Sequence, residues 1–111
     1  MLTTVVELPE FLRQAKAAMT DAERKELVDY LAANPEAGVS LGRGLRKVRF
    51  GRAGAGKSAG FRTIHFYRSG TGPVILVAMF AKNEKANLSA TELAGLMKLG
   101  DELAAHYGKR T

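Results

Sequence analysis

With 111 residues, 46% of them hydrophobic, and no cysteine, the chain has material for one modest core and excludes structural disulfides and thiolate-bound zinc. Its 17 Lys and Arg against 11 Asp and Glu give a formal charge of +6 at pH 7, and the surplus is segregated: between Glu36 and Glu84 no residue is acidic, whereas nine are basic (Arg43, Arg46, Lys47, Arg49, Arg52, Lys57, Arg62, Arg68 and Lys82). That stretch fits a polyanion, and since the longest apolar run, Val74 to Ala81, falls far short of the roughly 20 residues of a membrane span, a single cytoplasmic domain over residues 1–111 without a membrane partner is expected.

Leu2 to Glu7 is a short β-prone run, after which Pro9 suits the first turn of a helix with Phe11, Leu12 and Ala15 among its apolar positions. Thr20 and Glu23 have capping-box spacing, and Leu27, Val28, Leu31 and Ala32 recur at helical spacing until Asn34-Pro35 stops them. Gly38, Ser40, Gly42 and Gly44 mark Ala37 to Gly44 as loop. Leu45 to Phe50 reads as a strand with Lys47 and Arg49 on one face and Arg46, Val48 and Phe50 on the other. Gly51 to Gly60 is a glycine-rich connection, Phe61 to Arg68 resumes as strand, and Ser69-Gly70-Thr71-Gly72 makes a tight turn. Pro73 opens a last strand, whose uninterrupted apolar run suits a central position covered on both faces. Ser89 and Glu92 repeat the capping box ahead of a helix striped by Leu93, Leu96, Met97, Leu103, Ala104 and Tyr107. The expected order is β-α-α-β-β-β-α, an α+β fold with a mainly antiparallel sheet, two N-terminal helices and one C-terminal helix.

Gly51 to Ser58 satisfies the spacing of a nucleotide-binding P-loop, with Gly56-Lys57-Ser58 at its end. That chemistry needs a helix to start at the lysine and aim its amides at the phosphates, and here a strand is expected instead. The plainer reading is a glycine-rich connection; an intermediate one lets Lys57 and the loop amides touch nucleic-acid phosphates.

Four segments carry a resemblance: Gly44-Leu45-Arg46-Lys47-Val48-Arg49-Phe50, the loop from Gly54 to Gly60, the strand Phe61-Arg62-Thr63-Ile64-His65-Phe66-Tyr67, and the run from Phe80 to Leu88. Together they resemble the HigB branch of the RelE/ParE toxin superfamily, most densely from Gly42 to Thr91. The resemblance implies a RelE-like microbial ribonuclease-type fold and the toxin of a bacterial type II toxin-antitoxin pair. Such a toxin is most often a ribosome-dependent endoribonuclease that cuts messenger RNA in the decoding site and needs no cofactor. Also implied is a cognate helix-turn-helix antitoxin, which meets operator DNA as a complex with the toxin. ParE-like relatives poison gyrase instead, and a non-catalytic RNA-binding module is a third possibility.

Cutting RNA through its own 2′-hydroxyl requires a base, stabilisation of a pentacoordinate phosphate, and an acid for the leaving oxygen. His65 and His106 are the only near-neutral side chains and do not suggest a pair, whereas clustered cations lower one another's pKa and can supply a neutral lysine as base. RelE-type enzymes resemble this in using lysine and arginine where other ribonucleases use histidine. Arg62, a planar guanidinium in an apolar strand, is the first choice for the scissile phosphate. Lys57 and Lys82 are the candidates for proton transfer or a second charge clamp; Lys47 and Arg49, with Arg46 and Lys85, would hold the RNA backbone. Each has a structural alternative: Lys47 and Arg49 fit a solvated sheet face equally well, Arg62 could cap a strand by pairing with a carboxylate, and His65 and Tyr67 could pack across strands or stack on a base. Superfamily members often place a tyrosine or histidine beyond the last strand. Asn83 and Asn87 stand there in this chain, so the acid and base stay open.

Overall fold

Thr20 Oγ1 accepts a hydrogen bond from the Glu23 amide at 3.0 Å while the Glu23 carboxylate accepts one from the Thr20 amide at 2.8 Å, so the expected capping box starts a helix at Asp21. Ser89 and Glu92 make the same reciprocal pair, at 3.1 and 2.9 Å, ahead of a helix that starts at Ala90. The computed structural model describes residues 2–50, 60–68, 71–81 and 88–108. In chain order they form β1 (Val5–Glu7), α1 (Pro9–Ala18), α2 (Asp21–Ala33), β2 (Val39–Gly42), β3 (Leu45–Phe50), β4 (Phe61–Arg68), β5 (Thr71–Ala81) and α3 (Ala90–Gly108). The strands make one sheet in the order β1-β5-β4-β3-β2, antiparallel except where β1 lies parallel to β5 with Val5 beside Val74.

Alternation along the strands sends apolar side chains to both faces, and each face is covered by helix. Phe11 and Ala15 of α1 and Leu27 and Leu31 of α2 pack with Val48, Phe61, Val74, Leu76 and Met79. On the opposite face, Leu96, Met97, Leu99 and Leu103 of α3 cover Leu45, Ile64, Phe66, Ile75, Val77 and Phe80. β5 is thus buried on both sides, as its continuous apolar run implies. Past the three residues of β1, the outer edge of β5 is sealed by a side chain: the Met79 amide donates to Gln14 Oε1 of α1 at 2.9 Å.

Two departures from the sequence expectation concern an added strand and the start of the last one. The segment expected as loop from Ala37 to Gly44 contains β2, so the order is β-α-α-β-β-β-β-α, with one strand more than expected. β2 is an edge strand with a bulge between Ser40 and Gly42, and its glycines serve the backbone rather than opposing pairing. Gly38, at φ +88, lies so close to β3 that a Cβ there would stand 2.2 Å from the Lys47 carbonyl oxygen. Arg43 and Gly44, both at positive φ, reverse the chain into β3. The last strand starts at Thr71, two residues before Pro73, because the register shifts between Phe66 and Arg68 and the proline's missing donor falls at that irregularity.

Candidate nucleic-acid interface

The basic stretch separates into groups with different tasks. Arg43 Nη1 donates to Asp101 Oδ2 at 2.7 Å and Arg68 Nη2 to Asp101 Oδ1 at 3.0 Å, so one carboxylate of α3 ties down both the β2–β3 turn and the end of β4. Arg68 also donates to the Arg43 carbonyl at 3.3 Å and lies 5.3 Å from the centroid of the Phe66 ring. Arg46 points to the α1–α2 face, where Nε and Nη2 donate to the carbonyls of Ala37 and Gly38 at 3.1 and 3.0 Å. Its guanidinium braces the chain between α2 and β2 and stands apart from Lys47 and Arg49, across the sheet from them.

Lys47, Arg49 and Arg62 share the other face. Arg49 pairs in register with Arg62, Lys47 with Ile64, and Arg62 on its other side with Phe80. Arg62 is half-buried, and its Nη1 is buried without a hydrogen-bond partner among the described residues. Neither Arg49 nor Arg62 forms an ion pair among the described residues. A buried donor without a partner costs about 1–3 kcal/mol, and more when charged. Like charges set directly opposite across strands add to that cost. Both costs fall when an anion enters, and a phosphodiester, with two free oxygens, matches the planar donors of guanidinium.

The remaining expected site residues, Lys57, Lys82 and Lys85, lie outside the described residues, as do Gly51 to Ser58 of the P-loop-like string. The element that follows that string is the strand β4, as expected from the sequence. His65 is on the α1–α2 face and fully buried, with Nε2 2.8 Å from the Pro35 carbonyl oxygen, so it packs in the core and offers no surface to a base. Burial pushes its pKa down; the Pro35 hydrogen bond opposes that shift and the Arg46 charge adds to it. His106 is exposed near the end of α3, separate from His65. Sequence reasoning missed Asp101 as the anchor of Arg43 and Arg68. Its only signal was an acid on the inner half of a helix otherwise striped with leucine.

Residues 5–110 match the family model described as the RelE toxin of the RelE/RelB toxin-antitoxin system. No curated protein matches the chain. A match over nearly the full length, on described residues that form a three-helix α+β fold with a mainly antiparallel five-stranded sheet, means that this chain belongs to the RelE toxin family, the toxins of a toxin-antitoxin system, which implies a cognate antitoxin as partner.

Proposed function

We propose that the protein is a HigB-like toxin that cleaves messenger RNA on the translating ribosome in the cytoplasm. The observation that carries this reading is the in-register pair Arg49 and Arg62, unpaired with any acid among the described residues, beside Lys47 on one sheet face. In the reaction, the 2′-oxygen attacks the adjacent phosphorus, the bond to the 5′-oxygen breaks, and the products are a 2′,3′-cyclic phosphate and a 5′-hydroxyl. Arg62 holds the phosphate and stabilises the charge that develops on it. Arg49 and Lys47 hold the neighbouring backbone, with Lys85 assisting. Lys57 and Lys82 are assigned the transfer of the proton from the 2′-hydroxyl and its delivery to the leaving oxygen. Arg46, committed to the Ala37 and Gly38 carbonyls, is left out of the site. A helix-turn-helix antitoxin would restrain the toxin and bring the pair to operator DNA.

Induced expression tests the proposal. Growth should stop, and new 5′ ends should appear inside translated codons, with little cutting of naked RNA. Arg62→Ala should abolish both effects while the protein stays folded. Toxicity retained by that variant refutes the assigned site, DNA damage without messenger cleavage points to gyrase, and binding without cleavage in a translating extract makes the protein a passive RNA binder.

A further inference from the structure

The segment joining α2 to β2 is held by two side chains of the sheet acting on three of its carbonyls: His65 on Pro35, and Arg46 on Ala37 and Gly38. A proline carbonyl can only accept, so the contact at 2.8 Å places the ring hydrogen of His65 on Nε2 and leaves Nδ1 as the bare nitrogen. Nδ1 is buried and has no hydrogen-bond partner. In register on either side of His65 stand Arg46 of β3 and Leu76 of β5, and Thr63 and Tyr67 flank it on its own strand face. Glu36, in the held segment, is exposed. Arg46 is the one charged group acting on the ring among the described residues, and it repels a proton.

We propose that His65 and Arg46 form an acid-released latch on residues 35–38: the ring can take a second proton only at Nδ1, where it meets no acceptor and stands beside a guanidinium, so protonation is coupled to withdrawal of the segment and fraying of β2. The consequence reaches the candidate interface, because β2 pairs through Val39 with Lys47. The pKa of His65 is lowered in the folded chain, so its contribution to stability is fully present above the ordinary value of 6.5 and is lost as pH falls below it, the opened state taking the proton first. Opening therefore grows by up to about tenfold per pH unit below that value, until the closed ring itself titrates.

Amide hydrogen exchange of the full chain, followed by NMR from about pH 7.5 to about pH 5 and corrected for intrinsic rates, tests the latch. Amides of 37–42 should lose protection about tenfold per pH unit, ahead of the β4 and β5 amides, and His65→Gln, which keeps a donor for Pro35 without a titrating ring, should flatten that dependence. Protection that ignores pH, or falls equally in the variant, overturns the proposal. Should the variant not fold, nitrogen-15 spectra of the wild-type ring decide alone: an Nε2–H tautomer that resists protonation below 6.5 supports the latch, whereas an Nδ1–H tautomer or a ring titrating at or above 6.5 refutes it.

Discussion

Arg49 and Arg62 face each other directly across β3 and β4, two like charges in register on a sheet face where no acid pairs with either among the described residues. Elsewhere the fold does supply partners for its cations: Asp101 for Arg43 and Arg68, Glu7 for Arg24 at 2.8 Å, and backbone carbonyls for Arg46. Among the described residues the other arginines all have an acid or a carbonyl as partner, and only this pair faces itself, an arrangement that costs some stability.

Arg62→Met keeps an unbranched apolar stem and discards the guanidinium and its charge. Cleavage should drop about 100- to 1000-fold, the usual effect of removing one donor aimed at developing charge. The melting temperature should hold or rise, because repulsion across the strands, about 0.2–1 kcal/mol, disappears with the charge. Single-turnover cleavage and thermal unfolding measured on the same preparation check both halves; a clear loss of stability would make Arg62 a structural residue.

Arg49→Gln should act on binding more than on chemistry. If Arg49 holds a backbone phosphate, the variant's affinity for single-stranded RNA falls, and its dependence on salt becomes shallower by about 0.7 in the log-log slope. Titrations at several salt concentrations measure this. An unchanged slope would place Arg49 on a solvated face without a phosphate.

Asp101→Asn releases Arg43 and Arg68 together. Each bond is partly exposed, so the loss should be modest, about 0.2–1 kcal/mol for each pair, and should shrink as salt is added. Chemical denaturation at low and high ionic strength gives the comparison.

Gly38→Ala tests the close approach of β2 to β3. A side chain there meets the Lys47 carbonyl oxygen and must also adopt φ +88, so destabilisation of at least about 1–3 kcal/mol is expected, with loss of protection concentrated in β2. A variant as stable as the parent would mean that the edge strand is not held as described.

Local rules made much of the fold legible. Thr20 with Glu23 and Ser89 with Glu92 announced two helices because a capping box satisfies its own orphan amides within four residues. The split of β3 into a face with Lys47 and Arg49 and a face with Arg46 and Val48 followed from the period of a strand. β2 escaped notice because its pairing is short, bulged and glycine-bearing, which in sequence is indistinguishable from a loop. Which arginines were free was equally hidden. Arg43 finds Asp101 58 positions away and His65 finds Pro35 30 positions away, and neither separation leaves a local trace.

The parallel pairing of β1 with β5 sets an order on synthesis. Val5 leaves the ribosome ahead of β2, β3 and β4, yet the strand it joins, through Val74, Ile75 and Leu76, emerges only after them. The nascent toxin therefore carries Arg49 and Arg62 before its sheet can be closed at that edge, and the finished sheet waits for β5.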